Sequence, residues 1–210
     1  MTTDPITASI ITSGVVAVLR APTADGFSAV AHVLVGAGIT AIEVTLTSRG
    51  AVEAIAGLRR QLPDHVVVGA GTVLTADQAK ASVDAGAAFL VSPVLDLELA
   101  GSLDVPFYPG GLSPSEIFAA HRAGAPLVKL FPAATVGPRY VKDLHGPLPD
   151  VRIMPTGGIE IGDVAAWLNA GAVAVGLGGP LLGDAASGGS LTDLADRARR
   201  AADAVAFARS

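Results

Sequence analysis

The stretch Ala125-Pro126-Leu127-Val128-Lys129-Leu130-Phe131-Pro132 sets one charge inside an apolar run that has a proline near each end. A half-exposed strand alternates apolar and polar residues. A run this uniformly apolar suits a strand of a parallel sheet covered on both faces. The lysine is the anomaly. The chain has three lysines, and the other two, Lys80 and Lys142, stand in polar, helix-like segments. Burying an ammonium without a partner costs several kcal/mol, so a lysine in such a setting is either paired or deprotonated. A deprotonated lysine is a nucleophile towards carbonyl carbon. The stretch alone leaves both readings open: an ion pair that serves structure, or a nucleophile.

Outward from this stretch the same pattern recurs along almost the whole chain. Short apolar runs rich in β-branched residues occupy residues 15–20, 41–46, 66–71, 89–93, 106–110, 127–131, 152–157 and 172–178. Ala-rich amphipathic stretches follow them at 24–36, 49–62, 76–85, 96–103, 114–123, 138–145, 161–169 and 191–209. Thr75 is a good helix cap, and Ser113 followed by Glu116 has the spacing of a capping box. Gly36, Gly86, Gly124 and Gly171 stand where helices end. Eight strand–helix units predict an α/β fold, the (β/α)8 TIM barrel, as a single domain over residues 1–210. Residues 6–13 predict an extra N-terminal helix across the barrel bottom. The alternative is an open doubly wound sheet, which typically has fewer strands. Its dinucleotide-binding GxGxxG is absent after the first run, where Arg20-Ala21-Pro22 stands instead. Residues 183–190, rich in Gly, Ser and Ala, read as a mobile loop before the last helix.

Composition narrows the function classes. Half of the 210 residues are apolar, 16% are charged, and the net charge is −5. A modest acidic charge argues against nucleic acid and anionic membrane surfaces as partners. The chain has no cysteine, which removes disulfides, thiolate nucleophiles and cysteine metal sites. The first residues lack the basic and apolar regions of a signal peptide, and no apolar run reaches the roughly 20 residues of a membrane span. The expectation is a soluble cytoplasmic protein.

In parallel barrels the chemistry sits at the C-terminal ends of the strands. The first run ends in Arg20, and the second, Ala41-Ile42-Glu43-Val44-Thr45-Leu46, carries a glutamate. The third ends Gly69-Ala70-Gly71-Thr72, the fourth Ser92-Pro93, the fifth Tyr108-Pro109-Gly110-Gly111. Strand parity sharpens the picture. If Lys129 points inward, so do Leu127 and Phe131, while Val128 and Leu130 face the helices. If Glu43 points inward, so does Thr45, while Ile42, Val44 and Leu46 pack outward. Glu43 and Lys129 would then share one cavity. A purely structural pair has a weak rationale, because apolar replacements are usually at least as stable. Thr156-Gly157-Gly158 and Gly176-Leu177-Gly178-Gly179-Pro180 follow the last two strands, where loop amides can receive an anion. Pro180 suits the first position of a helix.

Other candidates read as structural. His32, His65, His121 and His145 show no metal-ligand spacing and fall on helices or their ends. Trp167 falls on a helical apolar face, Arg139 and Lys142 on a solvated one. Arg197, Arg199 and Arg200 interleave with Asp193 and Asp196 on the last helix.

Glu43-Val44-Thr45-Leu46, Gly69-Ala70-Gly71-Thr72-Val73, Ser92-Pro93, Lys129-Leu130-Phe131-Pro132-Ala133 and Pro155-Thr156-Gly157-Gly158-Ile159, in this order, resemble the 2-keto-3-deoxy-6-phosphogluconate and 4-hydroxy-2-oxoglutarate aldolase family. The resemblance covers about residues 15–182 and implies a homotrimer of (β/α)8 barrels. It implies a Schiff-base aldolase that needs no metal or cofactor and acts on a small-molecule keto acid. By resemblance Lys129 forms the Schiff base and Glu43 is the general acid/base. Thr72 helps hold the pyruvate carboxylate, and Phe131 and Pro93 line the pocket. Thr156, Gly157, Gly158, Gly178 and Gly179 hold the distal phosphate or hydroxyl end. Two positions depart from the family pattern. An arginine usually follows the Glu-Val-Thr-Leu motif; here Thr47 stands there, with Arg49 two residues on and Arg20 as another carboxylate partner. A serine often follows the strand-eight glycine; here it is Gly179, which keeps the amide and loses a hydroxyl. Phosphorylated and unphosphorylated keto acids both stay open.

The reaction expected is reversible aldol cleavage of a 2-keto-4-hydroxy acid to pyruvate and an aldehyde. Two rivals stand beside it. One is a phosphosugar isomerase or decarboxylase that uses Lys129 without a covalent adduct. The other is a non-catalytic trimeric scaffold of the same fold.

Overall fold

The computed structural model describes residues 4–100 and 104–210. The strands are β1 (Val15–Leu19), β2 (Ala41–Thr45), β3 (Val67–Gly71), β4 (Leu90–Val91), β5 (Phe107–Tyr108), β6 (Gly110–Gly111), β7 (Val128–Leu130), β8 (Ile153–Pro155) and β9 (Val175–Leu177). The helices are α1 (Pro5–Ser13), α2 (Phe27–Gly36), α3 (Ala51–Gln61), α4 (Ala76–Asp84), α5 (Leu97–Ala100), α6 (Pro114–Arg122), α7 (Pro138–His145), α8 (Val164–Asn169), α9 (Gly179–Leu182) and α10 (Leu191–Ala208). The helix expected over 96–103 is seen as α5; residues 101–103, like 1–3, lie outside the described residues. No helix among the described residues is long and apolar enough to cross a membrane.

All described strand pairs are parallel. One sheet runs β5-β4-β3-β2-β1-β9 and a second runs β6-β7-β8. A bridge between Thr156 and Gly176 and a bond from Val173 N to Ile153 O (3.0 Å) join β8 to β9. The fifth run, expected as one strand over 106–110, is two short strands separated by Pro109. Proline has no amide to donate, so a ladder cannot pass through it unchanged. Before it, Tyr108 O accepts from Ser92 N on the β4 side (3.1 Å); at it, Pro109 O accepts from Lys129 N on the β7 side (2.9 Å). The result is a curled parallel sheet with helices outside.

The helices begin where the sequence supplies oxygen acceptors. Asp4, Thr75, Ser113 and Ser190 each accept an amide of the first turn, and Ser113 with Glu116 forms the expected capping box. Residues 183–190 form the loop expected before the last helix and contain one short turn. Ala185–Ser187 form a 3-10 turn with Ala185 and Ala186 buried. Arg197 of α10 donates to the carbonyls of Leu181 and Leu182 at 2.7 and 2.8 Å. An arginine placed by sequence on a charged surface thus caps α9.

The apolar residues fall into two clusters on opposite faces of the strands. Val15, Ala17, Leu19, Ile42, Val44, Val68, Val128, Leu130, Ile153 and Val175 pack against the helices. Val16, Ala41, Val67, Phe89, Tyr108, Leu127, Met154 and Ala174 fill the concave side, with Ile10 of α1 among them. The N-terminal helix α1 thus packs Ile10 against the concave side. Thr7 Oγ1 and Tyr108 Oη share a buried hydrogen bond of 2.8 Å there. Burial pushes the Tyr108 phenol above its ordinary range, and the Thr7 bond opposes that rise.

Candidate active site

Lys129 and Glu43 stand one pleat above the apolar floor. Each follows a floor residue by two positions, Leu127 and Ala41, so the strand period of two keeps them on the concave face. Val128, Leu130, Ile42 and Val44 face the helices, as parity predicts. Glu43 is 1% exposed and Lys129 4%. Lys129 Nζ lies 3.9 Å from Glu43 Oε1 and 5.2 Å from the centre of the Phe131 ring. A nitrogen–oxygen separation of 3.9 Å is too long for a hydrogen bond. Both carboxylate oxygens of Glu43 are buried without a hydrogen-bond partner, and so is Thr156 Oγ1. Native interiors rarely leave such groups unpaired, because each costs about 1–3 kcal/mol, more when charged. Glu43 and Lys129 thus form a buried ion pair on the concave face, and Thr156 adds a buried hydroxyl to the same face.

Space for these groups comes from missing side chains. A Cβ on Gly71 of β3 would lie 1.8 Å from Glu43 Oε1, and a Cβ on Gly176 of β9 would lie 2.3 Å from Thr156 Oγ1. Neither glycine stands out as a site residue in the sequence. The signal that finds them is parity: each falls on the concave face beside a strand that carries a polar residue.

At the rim, Arg20 is exposed at the end of β1, and its Nη2 donates to Thr72 Oγ1 at 3.5 Å. Thr72 has a φ of 61°, a left-handed conformation uncommon for a threonine. Thr47 is exposed, and its hydroxyl donates to Thr45 Oγ1 at 3.2 Å. Arg49 lines a surface cleft with Glu53, Asp77 and Gln78, and neither Glu43 nor Lys129 lines that cleft. Phe131 is half-buried next to Lys129, and the peptide that follows it, Phe131–Pro132, is cis. Pro93 is half-buried, with its carbonyl packed against Gly110. Gly157 lies against the Phe131 ring, and Gly158 beside Ala134. Gly178 and Gly179 lead into α9, and a side chain at Gly179 would meet open space. The structure thus brings together Glu43, Lys129 and Phe131, and separately Arg20 and Thr72. Arg49 is drawn off to its own cleft. Among the described residues no three His, Asp or Glu cluster to hold a metal ion.

Comparison with known proteins adds an independent line. The family described as "Aldolase: KDPG and KHG aldolase" matches residues 6–191. The chain is 42% identical over 142 residues to the 2-dehydro-3-deoxy-phosphogluconate aldolase of Pseudomonas aeruginosa, a match that spans 66% of this chain and 64% of that protein. It is 34% identical over 172 residues to the 2-dehydro-3-deoxy-6-phosphogalactonate aldolase of Escherichia coli, spanning 79% of this chain and 83% of that one. Among solved structures it resembles the KDPG aldolase of Legionella pneumophila, with a TM-score of 0.85 and 29% identity over 93% of this chain and 97% of that one. That protein was captured with pyruvate as a covalent carbinolamine intermediate.

Proposed function

The chain belongs to the KDPG and KHG aldolase family, and from that premise we propose that Lys129 and Glu43 carry out Schiff-base cleavage of a 2-keto-4-hydroxy acid to pyruvate and an aldehyde. The observation that carries this reading is the pair itself. An amine and a carboxylate stand 3.9 Å apart, both buried on the concave face. The substrates in view are 2-keto-3-deoxy-6-phosphogluconate, giving pyruvate and glyceraldehyde 3-phosphate, and 4-hydroxy-2-oxoglutarate, giving pyruvate and glyoxylate.

The Lys129 ammonium passes a proton to the Glu43 carboxylate, and the free amine so formed adds to the C2 carbonyl and gives a carbinolamine. Glu43 delivers the proton that lets the C2 hydroxyl leave as water, and a protonated imine remains. Glu43, now a carboxylate, takes the proton of the C4 hydroxyl. The C3–C4 bond breaks, its electron pair moves onto C3 and into the imine, and the aldehyde departs from an enamine. Proton return to C3 and hydrolysis of the imine release pyruvate and the amine.

Arg20 and Thr72 receive the pyruvate carboxylate, with Thr47 and Arg49 as the further rim candidates. Phe131 and Pro93 wall the reacting carbons. Thr156, Gly157, Gly158, Gly178 and Gly179 take the distal end. Holding both ends fixes C2 against the amine, which lowers the entropic part of the barrier.

The two sheets are read as one closed (β/α)8 barrel with α1 as its lower plug, a single domain over residues 1–210. The Thr156–Gly176 bridge and the continuity of β5 into β6 support that reading. A homotrimer is proposed on family grounds. The large apolar side chains left exposed, Leu74, Val94, Leu97 and Phe118 on consecutive units of the wall and Leu191 and Phe207 on α10, are the surfaces such an assembly would cover. The cytoplasm, with its keto-acid substrates, is the compartment proposed.

The test is to incubate the protein with pyruvate and borohydride and map the adduct by mass spectrometry. A reduced pyruvyl group on Lys129 is expected. A folded, pyruvate-saturated protein without one rejects the covalent mechanism.

A further inference from the structure

The side chain of Arg20 is exposed, yet the backbone on both sides of it is held by hydroxyls from the end of β2. The Ala21 amide donates to Ser48 Oγ at 3.2 Å, and Thr45 Oγ1 donates to the Leu19 carbonyl at 3.1 Å. The two hydroxyl oxygens are 3.5 Å apart. Each hydroxyl has one proton to give. Thr45 spends its proton on Leu19, so between the two hydroxyls Ser48 is the donor. The links then run one way, from the amide after Arg20, through Ser48 and Thr45, to the carbonyl before Arg20.

Thr45 and Ser48 are both buried, at 0% and 2% exposed, so neither readily exchanges its partners for water. Further on, Ala24 N donates to Arg49 O (2.9 Å) and Arg49 N to Pro22 O (3.3 Å). The loop after β1 is thus stitched to the loop after β2 along its first turn.

We propose that Thr45 and Ser48 are positioning residues. They fix the backbone at Arg20 so that its guanidinium stands with Thr72 at the place where the substrate carboxylate docks. An arginine side chain is long and loses much rotamer freedom when it binds. Fixing its root removes part of that cost beforehand and sets the carboxylate at one distance from Lys129. This inference rests on the aldolase reading and adds to it two residues that touch no substrate.

The test uses the pyruvate concentration that half-saturates borohydride trapping of Lys129. It is measured in the wild type, in Ser48→Ala, Thr45→Val and Arg20→Ala, and in each hydroxyl substitution combined with Arg20→Ala. Losing a charged contact to the carboxylate raises that concentration by more than about tenfold in Arg20→Ala. Ser48→Ala and Thr45→Val each raise it about fivefold, and trapping at saturating pyruvate stays within about twofold. In the Arg20→Ala background neither hydroxyl substitution has a further effect beyond about 1.5-fold, because the group they position is gone. A second fivefold rise in that background overturns the clamp, and so does an unchanged value in both single hydroxyl variants. In those outcomes the wild type still traps on Lys129, so the aldolase reading survives. Absence of wild-type trapping rejects that reading and the clamp with it.

Discussion

Two layers of the concave face, one pleat apart on the same strands, differ in chemistry: charged groups enter only the upper one, among valines such as Val18 and Val91. The lower layer of Val16, Ala41, Val67, Phe89, Tyr108, Leu127, Met154 and Ala174, with Ile10 of α1, is apolar, and its two hydroxyls, Thr7 and Tyr108, satisfy each other. The upper layer holds the Glu43–Lys129 ion pair and Thr156, whose buried oxygens accept no hydrogen bond from the described residues. Side chains fill the space in the lower layer. In the upper layer Gly71 and Gly176 leave space for groups from neighbouring strands. The same strands therefore build an apolar core at one level and gather buried polar groups at the next. The difference teaches that burial alone does not mark function. A buried acid and amine set together on one face do point to a site, because such a pair adds little stability that apolar side chains would not.

The comparison is broken most severely at Lys129. Lys129→Ala is expected to lower turnover by about 10⁴-fold or more and to abolish borohydride trapping, because no other group of the site can form an imine. Turnover near normal would return the upper layer to the status of core. Glu43→Gln keeps the shape and removes the base, so kcat for aldol cleavage should fall about 10²- to 10³-fold. Half-saturation by pyruvate should move less than about threefold. Equal losses in both would assign the carboxylate to structure.

Smaller changes sharpen the contrast. Gly71→Ala places a methyl where the Glu43 carboxylate sits, 1.8 Å from Oε1. The carboxylate must move, and a displacement of about 1 Å costs up to about 10²-fold in rate. The fold, checked by circular dichroism, should persist, since a flexible side chain can give way. Tyr108→Phe probes the lower layer. It strands the Thr7 hydroxyl and should cost about 1–2 kcal/mol in urea unfolding, with kcat within about twofold of wild type. A large fall in kcat from this floor substitution would erase the division between the layers.

Much of this division is legible in the sequence. Uninterrupted apolar runs separated by Ala-rich stretches predict a parallel sheet beneath helices. The period of two predicts that Lys129 and Glu43 share a face with Leu127 and Thr45 while Val128, Leu130, Ile42 and Val44 turn away. The caps at Thr75 and Ser113 are readable because an N-cap bond spans only three residues. The break at Pro109 escaped although proline is the signal for it. A run of apolar residues does not say which of two neighbouring strands each amide will meet. Arg197 reads as surface charge in sequence, yet its guanidinium reaches Leu181 and Leu182, more than a dozen residues away. Arg20 and Arg49 are equal candidates at the rim in sequence. The structure sets the first beside Thr72 and the second in a cleft with Glu53 and Asp77.

By itself the sequence determined what is local and periodic: where strands and helices lie, which residues of a strand share a face, and which residue types are anomalous there. The tertiary structure decided which strands are neighbours and at what register. Val18, Glu43 and Gly69 stand side by side across β1, β2 and β3, and Gly110, Lys129 and Met154 across β6, β7 and β8. With Gly71 opposite Thr45 the same register sets Gly71 against the Glu43 carboxylate, and the packing of all the strands brings Lys129 to it from a distant strand and closes the hydroxyl links around Arg20. The physical reason is range. Periodicity follows from backbone geometry within one segment, whereas register follows from how all the segments pack at once.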